Sequence, residues 1–532
     1  MKILLINPDN PKNSGRDLYL GDIIGSLYTF KNCRKMSFGI PLALPTLAAV
    51  TPSYYNVEII DEMVEDIDFD KDCDFVGITA MTYKAPRAYE IAREFRKRGV
   101  KVIMGGIHAS VAPDEVSKHV DCVVIGEAED LWPKILDDFK NNQLKPRYEA
   151  KEFPDLSKIP PPRHDLTKYK SYLFYFLQTK RGCPYSCEFC TVTEFNGKSL
   201  RVKSPDQVVE EIRELFKLGS FSLSMQDSED KGKSKNFSPI GIFFTDDNFA
   251  INRDYALELC RRLKEFQDKD DVLMGWFTQA NYQVGLDDEM LTALRAAGCR
   301  LLFIGFESLN QEGLKSMNKT MNLSVNYARC IKNIRKYGME PVFSVILGND
   351  FDTVSVGEEI AQFIEENKVL YVLPNILTPY PGTALRKRLQ SQGRIVLDNP
   401  GFYNVRNVVF KPNLMSPIKL QEIYTDLCLR VFSFDKMIKR ARECLRYKQR
   451  HYIPPLFRVF VLFLFYLTTM RLVFRKKISL SIFLKVIPAA FAPILFNGSI
   501  RVLDILSGCV DHDDFARSEA RRLPDSPAAQ LS

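Results

Sequence analysis

The strongest constraint on this chain is a rhythm: short apolar runs alternate with helical stretches in two successive blocks, separated by a proline-rich segment. In the first block the runs are KILLIN, VEIID, FVGITA, KVIMGG and CVVIG, spaced by helical segments such as Pro86 to Arg98. Unbroken apolar runs of strand length between helices are what a parallel sheet buried on both faces requires. Residues 1–145 are therefore expected to form a doubly wound, Rossmann-like α/β unit. Residues 146–173, with Pro160, Pro161 and Pro162, read as a linker. From 174 to 395 the rhythm resumes with FYFLQTK, GIFFTDD, LMGWFTQ, LLFIGFES, PVFSVIL and LYVLPNIL. Six such β/α units suit a partial (β/α)6 barrel rather than a closed one. The polar run from Ser220 to Ser238 reads as a surface insertion in a helix-to-strand connection.

Composition fits this picture, since 45% hydrophobic and 26% charged residues are globular proportions, far from those of a disordered chain or a polytopic membrane protein. The opening MKILLINP has no small-residue cleavage site and reads as a first strand, which points to the cytoplasm. In such a chain the twelve Cys are better read as core residues, thiols or metal ligands than as disulfides.

Three of them stand close together. In RGCPYSCEFC, Cys183, Cys187 and Cys190 follow an apolar strand with the spacing Cx3Cx2C. Three thiolates can hold three irons of a cubane cluster and leave the fourth iron open to a substrate. A structural zinc site would want a fourth ligand, and no further Cys or His lies near in sequence. Zinc and plain core cysteines are the alternatives that spacing alone leaves.

With the aromatic Phe189 before the last Cys, at the end of the first strand of the second block, the triplet resembles the radical S-adenosylmethionine superfamily. The resemblance runs through residues 174–393, where FFTDDNF, FIGFES and TPYPGT are similar to strand ends of the cobalamin-dependent branch. It implies a 4Fe-4S cluster on the three cysteines, fed by an electron donor of flavodoxin or ferredoxin type. The amino and carboxylate groups of S-adenosylmethionine would chelate the open iron, and one electron would cleave the sulfonium to a 5'-deoxyadenosyl radical. Thr245, Asp246 and Asp247 occupy the place of the motif that receives the methionine amine, although the usual Gly-Gly-Glu wording is absent. Phe189, Gln279 and Glu307 complete the S-adenosylmethionine contacts that the resemblance implies, Glu307 on the ribose. The competing reading of each polar residue is a structurally paired group at a strand end.

The first block carries Gly and small residues at the carboxyl ends of its strands, in GITAMT, GGIHAS and GEAED. Ligands approach the backbone at such positions. Placed before a radical domain, these loops resemble the cobalamin-binding domain of the cobalamin-dependent enzymes. That implies Thr79, Gly105, Gly106, His108, Ser110, Gly126 and Glu127 as cobalamin contacts. Asp-x-His-x-x-Gly is absent, so His108 is not expected as an axial ligand, and its loop should meet the corrin edge or the nucleotide tail. No GxGxxG occurs, which makes a nicotinamide the less suitable tenant. A second cluster on Cys33, Cys73 and Cys122, as in methylthiotransferases, is the weaker reading, because Cys73 and Cys122 precede apolar strands as small buried residues do.

The remainder, 396–516, reads as helical, with a tail at 517–532. An amphipathic helix is expected from Met415 to Lys448, starting at Ser416-Pro417. Ile453 to Phe474 and Ser479 to Phe496 are apolar but interrupted by Arg458, Arg471, Lys485, Pro488 and Pro493. Thirteen Lys or Arg against the single Glu443 between Lys436 and Lys485 suggest a surface lying in a membrane interface, with a helical cap on the barrel as the alternative. No nucleic-acid reader fold is recognisable, so nucleic acid is not expected as a partner. These readings converge on a C-methyltransferase acting on an unactivated carbon of an apolar, lipid-like substrate, cytoplasmic and peripheral on the inner face of the membrane. An oxidoreductase or cyclase using cobalamin is the alternative enzyme, and a non-catalytic cobalamin-binding module the alternative outside enzymes.

Overall fold

A computed structural model describes residues 1–9, 42–172, 174–218 and 236–433, with positions 37, 39, 436, 439 and 440 besides. Most of the polar run at 220–238, Cys33 and the apolar and basic stretches beyond Arg440 lie outside the described residues. Strands β1 (Lys2–Asn7), β2 (Asn56–Asp61), β3 (Phe75–Thr79), β4 (Lys101–Gly105), β5 (Cys122–Ile125) and β6 (Arg147–Glu149) form one parallel sheet in the order β2-β1-β3-β4-β5-β6. Successive side chains of a strand point to opposite faces, and in β1 both faces are buried. Ile3 and Leu5 pack with Phe75 and Trp132, while Leu4 and Ile6 pack with Ile78 and Phe95. That double burial is why the first-block runs are apolar without alternation. The segment read as a linker contributes β6 to the sheet edge, so the sheet extends past residue 145. Its far end is tied back by Tyr172, whose hydroxyl donates to Asp61 Oδ2 at 2.9 Å.

The second sheet comprises β7 (Tyr175–Leu177), β10 (Asn236–Phe244), β11 (Val272–Ala280), β12 (Cys299–Glu307), β13 (Glu340–Leu347) and β14 (Tyr371–Ile376). All pair in parallel, in the order β14-β13-β12-β11-β10-β7, with a small antiparallel hairpin of β8 (Lys180–Arg181) and β9 (Arg201–Val202) beside them. Six strands joined through helices make the expected partial barrel. Phe244, Trp276, Leu302, Ile304, Phe306, Phe343 and Val345 point outward into one core with helices such as Arg253–Lys269 and Tyr327–Lys336. Each such buried side chain contributes roughly 1.5–3 kcal/mol. Helix starts are set by capping side chains: Ser204, Asn252, Asp287 and Asn326 each accept a backbone N–H of the first turn. Ser416 caps the helix Pro417–Val431 in the same way, at the start read from the sequence. Among the described residues no helix is long and apolar enough to cross a membrane.

The two sheets meet by their carboxyl ends. The helix Gly106–Val111, which follows β4, touches the helix Val192–Phe195, which follows the cysteine triplet. The loop after β14 lies so close that a side chain at Gly382 would come within 3.3 Å of Val111 Cγ1. Ligands of both α/β units are thus confined to one shared space.

Candidate active site

The cysteine loop is pinned at both ends. Gly182 has φ +93°, and a Cβ there would fall 2.3 Å from Ser199 O, so only glycine passes. Cys183 N donates to Gly197 O at 3.2 Å, and Cys190 N to Cys187 O at 3.1 Å. Beyond the turn, Glu188 is gripped by Arg388 through a two-pronged pair of 2.6 and 2.9 Å, and Asn318 Nδ2 donates to Ser186 O. The three thiols are partly exposed and close enough to act on one another electrostatically. Burial pushes all three up, Cys190 to about 12, while Lys319 opposes the shift at Cys183 and Cys187. Such thiols stay neutral until a metal centre displaces the proton. Among the described residues no three His, Cys, Asp or Glu side chains converge as a single-ion site requires. Thiolates that each take a different iron are under no such demand, so the donor set fits a cluster.

Three consecutive polar residues follow β10, and they part ways. Thr245 donates its N–H and its hydroxyl to Leu177 O, at 2.7 and 3.1 Å, which ties β10 to β7. Asp246 is wholly buried. Its oxygens accept from Thr179 N at 2.7 Å, Lys180 N at 3.2 Å and the Thr179 hydroxyl, and Lys180 Nζ stands 3.9 Å away. In the structure these two residues, expected to receive the methionine amine, serve as staples between neighbouring segments. Asp247 differs: its Oδ2 is buried with no hydrogen-bond partner, and burial together with Asp246 pushes its carboxyl up to about 7. Its charge acts on Cys183 and Cys190, which places it beside the triplet.

Gln279 is exposed at the end of β11. Glu307 ends β12 at φ +67°, just past a register shift, and its Oε1 accepts from Lys319 Nζ at 2.9 Å. Burial disfavours the Lys319 charge, but Glu307 and Cys187 outweigh it and hold the ammonium above the ordinary lysine range. Gly305 leaves the room, since a Cβ there would meet Glu307 Oε1 at 2.4 Å. Lys319 sits in a loop with no motif around it and is a site residue that sequence reasoning missed. Phe189 is half-buried against the barrel core. Deeper in the barrel, on the face opposite the outer core, lies an aromatic wall. Phe243 and Phe277 stack with centroids 4.6 Å apart, flanked by Phe176 at 5.4 Å and Phe303 at 5.7 Å, and Phe174 meets Phe277 edge-on at 4.9 Å.

Across the shared space, Thr79, Gly105, Gly106, Ser110 and Gly126 form a half-exposed shelf. Gly106 has φ +89°, and a Cβ would fall 2.5 Å from Thr79 Oγ1. Ser110 Oγ donates to Gly106 O and accepts from Gly126 N, both at 2.9 Å, so the β4 and β5 loops are bonded to each other. This low, glycine-rich edge fits a broad flat cofactor. Two residues expected to contact cobalamin are buried against other protein groups. The His108 ring is completely buried, with Nε2 2.8 Å from the Tyr89 hydroxyl, so it supports the loop from beneath. Glu127, also buried, accepts from Arg181 at 2.5 Å, from Arg201 at 2.8 Å and from Asn196 at 3.2 Å. Burial pushes its carboxyl up, but Arg201 and Arg181 prevail and hold it low. Cys122, the first residue of β5, is likewise buried, as a core residue would be.

Residues 177–364 match the radical SAM superfamily and residues 37–136 the B12 binding domain. Bacteriochlorophyllide d C-8(2)-methyltransferase of Chlorobaculum tepidum is 34% identical over 412 residues, 75% of this chain and 87% of that protein. Hopanoid C-2 methylase of Rhodopseudomonas palustris is 28% identical over 76% of this chain and 73% of its own length. The solved structure of the cobalamin-dependent S-adenosylmethionine radical enzyme OxsB shares the fold, with TM-score 0.60 and 14% identity over 87% of this chain and 72% of that one. The chain belongs to the cobalamin-dependent radical S-adenosylmethionine enzymes. Within them it is a methyltransferase, using a 4Fe-4S cluster, S-adenosylmethionine and cobalamin.

Proposed function

We propose that this enzyme methylates an unactivated carbon of an apolar, ring-bearing substrate seated on the aromatic wall of the barrel. The observation that carries this reading is the wall itself: Phe174, Phe176, Phe243, Phe277 and Phe303 line the lumen with π faces where a water-filled site would hold polar groups. Similar proteins named for bacteriochlorophyllide and hopanoid methylation support a ring-bearing acceptor. Cys183, Cys187 and Cys190 hold the cluster, Asp247 receives the methionine ammonium, and Glu307, steadied by Lys319, faces the nucleoside. The shelf from Thr79 to Gly126 carries the corrin. When bound, the cluster supplies the electron that cleaves S-adenosylmethionine and cobalamin supplies the methyl group. The protein's own part is to orient the acceptor, exclude water and keep one carboxylate oxygen free for the ammonium. Anaerobic turnover with ring-bearing lipids and tetrapyrroles tests the reading. Methylated acceptor with S-adenosylhomocysteine is expected; deoxyadenosine with oxidised or cyclised acceptor and no methyl gain would overturn it.

The basic, apolar segment between Lys436 and Lys485 brings the enzyme to an anionic membrane surface, where such acceptors dissolve. Flotation with anionic vesicles at low salt, lost on truncation after Ser433, is the expected result. Full-length protein that never floats would refute this attachment.

A further inference from the structure

Arg181 stands directly before Gly182 and Cys183, and its backbone cannot drift, because the β8–β9 hairpin pairs it with Arg201 and Gly182 is wedged against Ser199. Thr179 N and Lys180 N both bond Asp246 Oδ1, so the next residues of the two segments, Arg181 and Asp247, leave the same point, and the guanidinium acts on the Asp247 carboxyl. A permanently charged guanidinium beside a buried carboxylate ordinarily closes on it in a two-pronged pair. Here it does not, and Asp247 Oδ2 has no partner. Arg181 is engaged elsewhere: its Nη1 is held from the first domain by Glu127 at 2.5 Å and Glu129 at 2.7 Å, and its Nε within the barrel by Gln178 at 2.8 Å. Glu127 also neutralises Arg201, so two carboxylates balance two guanidiniums in a group whose side chains are all 15% exposed or less. Removing either carboxylate leaves one uncompensated positive charge next to the triplet.

We propose that Glu127 and Glu129 of the cobalamin-binding domain are positioning residues for S-adenosylmethionine: by holding Arg181 they keep it off Asp247, whose free oxygen then receives the methionine ammonium. This rests on the role proposed above for Asp247. It makes the grip of the barrel on its co-substrate depend on the docking of the first domain, so that the sulfonium is presented for cleavage only where cobalamin stands opposite.

The test uses full-length protein with the cluster kept oxidised, so that no cleavage occurs, and equilibrium dialysis of labelled S-adenosylmethionine. Glu127→Gln should weaken binding about tenfold, the size of one charge-assisted hydrogen bond lost. Arg181→Gln in that background should recover most of the loss, because the competing cation is gone; a merely structural defect would deepen instead. Alkylation of Cys183, Cys187 and Cys190 in the metal-free protein should proceed as in the parent, showing that the loop keeps its place. Unchanged binding in Glu127→Gln, or loss without recovery in the double variant, overturns the proposal. If Glu127→Gln does not fold, Glu129→Gln, alone and with Arg181→Gln, carries the same two outcomes. Asp247→Asn is run in parallel: unchanged binding there refutes the Asp247 role itself, whereas weakened binding there with an unaffected Glu127→Gln refutes only the control by the first domain.

Discussion

Asp246 and Asp247 are neighbours with opposite fates, and replacing the first separates structure from ligand binding. Asp246→Ala would strand two backbone N–H groups and the Thr179 hydroxyl, and would take the counter-charge from the Lys180 ammonium, which is only 2% exposed and keeps its bond to Phe249 O. Breaking a buried pair costs roughly 3–5 kcal/mol, and each orphaned donor about 1–3 kcal/mol more. That is most of the roughly 5–15 kcal/mol by which a domain is stable, so this variant should not fold. Asp246→Asn is the informative change. The amide oxygen still accepts from the backbone N–H groups of Thr179 and Lys180, while the amide NH2 replaces the oxygen that accepts from the Thr179 hydroxyl, which must turn to accept instead, and the charge facing Lys180 is lost; about 3 kcal/mol is expected, the lower end of the cost of a broken buried pair. Lys180→Met in the same background should return part of it, since an apolar side chain needs no counter-charge there. The two tryptophans make the assay clean: Trp132 lies in the core of the first sheet and Trp276 in that of the barrel. With Trp132→Phe as the parent, urea unfolding followed by fluorescence reports the barrel alone. A midpoint shift in Asp246→Asn with S-adenosylmethionine affinity kept supports the staple. An unshifted midpoint with affinity lost would mean that Asp246 faces the ligand, and the division of roles would be wrong.

Replacing Cys183, Cys187 and Cys190 by Ala should abolish the broad visible absorbance of the cluster and all S-adenosylmethionine cleavage while cobalamin still binds; retained cleavage would refute the ligand set. His164 is buried edge-on to Tyr175, with Nε2 unpartnered, and burial followed by Lys203 pushes its imidazole down to about 4. The unfolded chain therefore takes up the proton first, and up to roughly 3 kcal/mol of stability should disappear as pH falls from 6.5 toward 4; urea midpoints across that range should flatten in His164→Phe. His108→Ala should leave the paramagnetic resonance of bound cob(II)alamin without any change in axial nitrogen splitting, because the ring is sealed beneath the loop.

What could be read from the sequence follows from which forces are local. The apolar runs of both blocks announce strands because a strand buried on both faces, like β1, has no polar position to spare. β6 escaped because Arg147–Glu149 is a three-residue edge strand with one buried side chain, too short to leave a pattern. The cysteines are legible because one short loop must carry every protein ligand. The roles of Thr245, Asp246 and Asp247 are not, because all three are polar residues at a strand end and only the turn of the backbone decides which carboxylate meets Thr179 and which keeps a buried oxygen without a partner. Glu127 shows the same limit at longer range, for its partners Arg181 and Arg201 lie 54 and 74 positions away.

The place of Glu127 exposes a general feature of an enzyme assembled from two α/β units. Each unit binds at the carboxyl ends of its strands, so the polar residues expected to touch a cofactor are the same ones that face the other unit. Glycines and small side chains stay free to meet a cofactor, because a shelf such as Gly105, Gly106 and Gly126 offers a partner domain nothing to grip but lets a flat ring approach. Charged residues at those ends are costly to bury alone and find their counter-charge across the interface, as Glu127 does on Arg181 and Arg201. The charges therefore tie the two units to each other, while the glycines leave the space between them open. For methyl transfer between two cofactors held by different domains, alignment is the harder requirement, and it explains why an ion-pair group 15% exposed or less stands immediately beside the first cluster cysteine.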